Sequence, residues 1–121
     1  MSSAPPEHRP STEPRLVLVT APDEPVAEGL ARQLVEGGLA ACVNLLPGLK
    51  SVYRWEGAVQ WDPEVLMLVK TTASRLRELE DFLQREHPYD TPECVALEPR
   101  SVEARYLAWW FASVGSPEDL A

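Results

Sequence analysis

Two long runs of strand-forming residues, 39–55 and 58–71, meet at the dipeptide Glu56-Gly57, and this pairing constrains the fold more than any other feature of the chain. A short turn between such runs makes an antiparallel hairpin. Both runs exceed the usual strand of about 5–6 residues. Pro47-Gly48 predicts a break or bulge in the first, and Asp62-Pro63 a bend or bulge in the second, because proline has no donor for the ladder. After the first break Leu49, Ser51, Tyr53 and Trp55 share a face; in the second run Val65, Met67 and Val69 take one side and Leu66 and Leu68 the other. A hairpin arm this long leaves unpaired edges, which points to pairing with another subunit.

The flanking segments supply the remaining elements. Residues 16–20 are apolar on both faces and bounded by Pro14 and Pro22, as expected of a central buried strand. Asp23 suits a helix N-cap, Val26, Leu30, Leu34 and Val35 recur at helical spacing, and Gly37-Gly38 ends the helix. Thr72 or Ser74 predicts the cap of a second helix with the stripe Leu76, Leu79, Phe82 and Leu83, stopped at His87-Pro88. A short strand follows at 94–97. Ser101 predicts the start of a last helix with Val102, Tyr106, Leu107, Trp110, Phe111 and Val114 facing inward, closed by Gly115. The order β-α-β-β-α-β plus a C-terminal helix is that of an α+β, ferredoxin-like sandwich with an extended hairpin. Its expected span is 15–115, between a disordered proline-rich tail at 1–14 and a polar tail at 116–121.

Charge and chemistry narrow the function. Nineteen acidic against eleven basic residues give a formal net charge of −8, which opposes binding to a phosphate backbone. No run approaches the roughly 20 apolar residues of a membrane helix and no signal-peptide pattern opens the chain, so the expected setting is cytoplasmic, with neither nucleic acid nor membrane as partner. Phosphate-loop, dinucleotide-binding, zinc-protease and nucleophile-elbow motifs are absent, and no catalytic residue is assigned. Cys42 and Cys94 stand outside any CxxC pair and are expected to be small buried hydrophobes. Four tryptophans, Trp55, Trp61, Trp109 and Trp110, exceed what so small a core can hold, so some are expected at a subunit interface. Lys70, at a strand end, either orients an anion or snorkels.

The motifs Thr20-Ala21-Pro22-Asp23-Glu24, residues 39–44 (LAACVN), Tyr53-Arg54-Trp55-Glu56-Gly57, Lys70-Thr71, His87-Pro88-Tyr89 and Pro92-Glu93 closely resemble the CutA family over about 15–114. The resemblance implies a homotrimer whose hairpins pair between subunits, a link to divalent-cation or copper tolerance, and no catalysis. It also implies a PII-like architecture with ligand clefts between subunits. Copper-binding members carry a cysteine and a histidine where this chain has Val19 and Glu86. The expected metal residues are therefore His87, Glu93 and Glu86, with Cu2+ or Zn2+ as a non-obligatory ligand. The expected ligand cleft is marked by Lys70, Tyr89 and Trp55. The alternative is a signalling module reading a small anion through Lys70.

Overall fold

A computed structural model describes residues 13–115, so apart from Glu13 and Pro14 the two expected tails lie outside the described residues. Strand β1 (Pro14–Ala21) begins within the segment expected to be tail, with Pro14 opposite Thr72. Helix α1 (Glu24–Glu36) starts as its sequence demands: the Asp23 carboxylate accepts the Val26 amide at 2.9 Å, and Pro25 stands where no donor is needed. Past the helix, Gly38 takes a φ of 76°, and the amides of Leu39 and Ala40 both donate to the Leu34 carbonyl. Those bonds occupy residues expected to open the next strand, so β2 (Cys42–Trp55) starts three residues late.

Strand β3 (Ala58–Thr72) returns through Glu56-Gly57, whose φ values of 50° and 80° are those of a tight hairpin turn. Along the β2–β3 ladder, Leu46 pairs with Leu66 and Leu49 with Glu64, so Pro47 and Gly48 together oppose the single residue Val65. The bulge expected at Pro47-Gly48 is present, with Gly48 at a φ of 84°. The one expected at Asp62-Pro63 is not: Asp62 pairs with Ser51 and Pro63 with Lys50 in unbroken register. Pro63 lies beyond the stretch of β3 that pairs with β1, so its missing donor faces no second strand.

A 3-10 turn at Ala73–Arg75 leads into α2 (Leu76–Glu86). Thr72 is in the cap position but makes no cap bond; its hydroxyl lies 3.2 Å from that of Ser74. His87 is extended, as Pro88 requires, and ends the helix. Edge strand β4 (Val95–Leu97) pairs with β1. Helix α3 (Ala104–Ser113) opens three residues after Ser101, because the Glu103 carboxylate accepts the Arg105 and Tyr106 amides, each at 3.1 Å. Of its expected inward stripe only Trp110 is fully buried, and its indole N–H donates to the Thr71 carbonyl at 2.8 Å.

The sheet runs β2-β3-β1-β4, antiparallel throughout, which is the ferredoxin-like α+β arrangement. Val17, Val19 and Ala21 of β1 and Val65, Met67 and Val69 of β3 face the helices and form the core with Ala27, Leu30 and Leu34 of α1 and Leu79, Phe82 and Leu83 of α2. Alternation puts Leu16, Leu18, Leu66 and Leu68 on the other face, joined through their ladder partners by Leu46, Val95 and Leu97. None of these seven is fully buried, and Leu46 is 55% exposed. Beyond the end of β1, residues 49–55 and 58–64 continue as a two-stranded arm. Trp55, Val59 and Trp61 stand exposed on it.

Candidate functional site

The arm and the loop after α2 enclose a concavity of about 640 Å³. Strand geometry explains the arm's contribution. Tyr53 and Trp55 of β2 share a face, and Asp62 and Glu64 of β3 lie on it because they pair with Ser51 and Leu49 of that same alternating set. All four line the concavity. The loop brings Tyr89, Asp90 and Glu93 to the opposite wall, and Pro22 and Pro63 add apolar surface.

Two tyrosine–carboxylate pairs organise the walls. The Tyr89 hydroxyl donates to Glu64 Oε2 at 2.7 Å, tying the loop to the arm, and the Tyr53 hydroxyl donates to Asp62 Oδ2. Burial first, and then the bond to Glu64, push the Tyr89 phenol far above its ordinary pKa, so it remains a donor throughout the physiological range. The Tyr53 phenol is also raised, chiefly by its hydrogen bond to Asp62. Among the described residues four carboxylates line the space and no lysine, arginine or histidine does. Such a site attracts cations and repels anions.

His87 holds the loop from behind. Its side chain is buried, with the ring centroid 4.7 Å from that of Tyr89. The Tyr89 amide donates to Nδ1 at 3.0 Å, which makes Nδ1 the acceptor and leaves Nε2 to donate to the Thr20 carbonyl at 2.8 Å. Both ring nitrogens are therefore engaged inside the protein, and neither offers a lone pair to a metal ion. Glu86 points elsewhere, to the Arg85 guanidinium at 3.3 Å. Of the three expected metal residues, only Glu93 lines the concavity. Among the described residues no group of three His, Cys, Asp or Glu side chains is placed to hold a metal ion. Burial, aided by the charge of Glu80, pushes the Cys94 thiol up, away from the thiolate form a soft metal needs.

The expected cleft residues divide in the same way. Trp55 and Tyr89 face each other's space, but Lys70 does not join them. It sits near the other end of β3, opposite Leu16 and Cys42, and its ammonium donates to the Tyr106 hydroxyl of α3 at 2.9 Å. Sequence reasoning missed Tyr53, Asp62, Glu64 and Asp90 as lining residues. A hairpin register counted back from Glu56-Gly57 identifies the first three, since Trp55 pairs with Ala58 and every second residue from there shares one face.

A family model described as CutA1 divalent ion tolerance protein matches residues 15–113. The chain belongs to the CutA1 family. The divalent-cation tolerance protein CutA of Thermus thermophilus is 47% identical over 100 residues, covering 83% of this chain and 97% of that protein. A solved structure of the divalent cation tolerance protein from Thermus thermophilus superposes with a TM-score of 0.82 at 46% identity, covering 84% of this chain and 99% of that one. The structure of the periplasmic divalent cation tolerance protein CutA from Archaeoglobus fulgidus matches with a TM-score of 0.81 at 34% identity, over 84% of this chain and 99% of that one. The CutA1 family takes its name from tolerance of divalent ions and not from a catalysed reaction. Among the described residues no helix is long and apolar enough to cross a membrane.

Proposed function

We propose that this CutA1-family chain is a non-catalytic cytoplasmic homotrimer that takes cations into the concavity between its hairpin arm and the loop after α2. Assembly is supported by the apolar sheet face opposite α1 and α2, where Leu46, Val95 and Leu97 stand exposed beside the half-buried Leu16, Leu18, Leu66 and Leu68. The two sheet edges are different strands, β2 and β4, so pairing one copy's β2 with the next copy's β4 runs head to tail, a contact that forms a ring where the rotation between copies closes. Three copies follow the trimer implied by the sequence resemblance. A reducing compartment suits Cys42 and Cys94, which are both free.

One observation carries the binding reading: among the described residues Asp62, Glu64, Asp90 and Glu93 line the concavity and no basic side chain does. Cu2+ and Zn2+ enter as weakly held ions on these carboxylates, since His87 and Glu86 are engaged elsewhere. The anionic alternative loses its recognition residue, because Lys70 bonds Tyr106 outside the concavity. Calorimetric titration of Cu2+ and Zn2+ into the wild type and into Glu93→Gln tests this. Weak, salt-sensitive binding that falls in the variant is expected. Tight binding unchanged by Glu93→Gln, or no binding, would overturn the reading.

A further inference from the structure

The walls of the concavity carry a second kind of recognition element that metal ions do not use. Trp55, Tyr53 and Tyr89 line it alongside the carboxylates. Aromatic ring faces attract weakly hydrated organic cations, and an indole does so best. They contribute nothing to coordinating Zn2+ or Cu2+, which need several directed nitrogen, oxygen or sulfur donors. Two of the four carboxylates already accept a tyrosine hydroxyl, Asp62 from Tyr53 and Glu64 from Tyr89. They are oriented by the protein and are poorly free to swing together around a small ion. The volume of about 640 Å³ falls in the range of small-molecule sites, roughly 300–1,000 Å³. A single metal ion would fill little of it.

We infer that the concavity is a binding site for an organic ammonium compound. Its charged head lies against the aromatic side chains within the field of Asp62, Glu64, Asp90 and Glu93, and its body has room against Pro22 and Pro63. The inference rests on the cation-binding reading above and names the ligand class for that site. A charged head desolvated between a ring face and a carboxylate gains from both at once, which a neutral molecule of equal shape does not.

Choline and its uncharged isostere 3,3-dimethyl-1-butanol are suitable probes, titrated into the full chain with tryptophan fluorescence and calorimetry as readouts, beside a Zn2+ titration. Choline is expected to bind saturably and the isostere at least tenfold more weakly. Trp55→Leu is expected to lower choline affinity about tenfold, and Glu93→Gln, an exposed change that leaves the aromatic walls intact, several-fold. Circular dichroism and the mass of each variant show whether it remains folded and assembled; if Trp55→Leu does not, the isostere and Glu93→Gln decide. Equal affinity for choline and the isostere, or no choline binding, overturns the inference. If Zn2+ still binds in that case, the cation-binding reading survives without it, whereas loss of both removes the two together.

Discussion

Replacing His87 by alanine separates a structural brace from a metal ligand. The ring accepts the Tyr89 amide at Nδ1 and donates from Nε2 to the Thr20 carbonyl, at 3.0 and 2.8 Å, while the residue is only 6% exposed. Each bond removed leaves a backbone group short of its partner, at about 1–3 kcal/mol apiece. Loss of ring packing against Tyr89 adds to this, so the expected destabilisation is about 3–5 kcal/mol per protomer. A surface ligand deleted from an unoccupied site changes stability by only about 0.5 kcal/mol either way. Guanidinium denaturation followed by circular dichroism, at one fixed protein concentration because assembly shifts the transition, measures the difference. His87→Gln, which can restore one of the two bonds, is expected to fall between alanine and wild type. A loss below about 1 kcal/mol in His87→Ala, accompanied by a fall in Zn2+ affinity, would refute the brace and return His87 to the metal site.

Two further outcomes follow from local geometry. The Glu103 carboxylate is held below the ordinary glutamate value by the Arg105 and Tyr106 amides it caps, so its contribution is present above pH 4.5 and is lost as pH falls through the lowered folded value. The stability difference between wild type and Glu103→Gln, measured by thermal melting from pH 7 downward, should therefore shrink in acid; a difference that grows would contradict the cap. Glu56 occupies a left-handed φ of 50° in the hairpin turn, a conformation asparagine tolerates better, so Glu56→Asn should stabilise by a few tenths to about 1 kcal/mol. Equal or lower stability in denaturant would show that the turn is set by contacts other than its own backbone preference.

The fold was legible because each local preference agreed with the next. Asp23 caps, Gly38 turns, Pro88 stops α2, and the Val65–Val69 alternation faces the core just as its period of two implies. Two of the misplacements share a cause: a competing bond that single-residue preferences do not reveal. Leu39 and Ala40 close α1 before they can open β2, and Glu103 outcompetes Ser101 as a cap. Pro63 leaves the pairing register unbroken because β1 ends before reaching it. The site was harder to see, since its residues come from two strands and a loop: register puts Glu64 on the face of Tyr53 and Trp55, but only the tertiary fold brings Tyr89 to it. His87 looked like a ligand on chemistry alone. Its burial and its two backbone partners, 67 and 2 residues away, depend on tertiary structure.

Assembly through the uncovered sheet face is tested most directly by the mass of the protein in solution. Size-exclusion chromatography coupled to light scattering, run on the wild type and on Leu66→Glu across the micromolar range, measures it. Leu66 lies on the face opposite α1 and α2, where a charge is tolerated by a lone chain and expelled from a packed interface. The expected result is three chain masses for the wild type and a smaller, still folded species for Leu66→Glu. A wild type of one chain mass throughout, or a trimer indifferent to the charge, would contradict the proposal that further copies of the chain cover this face.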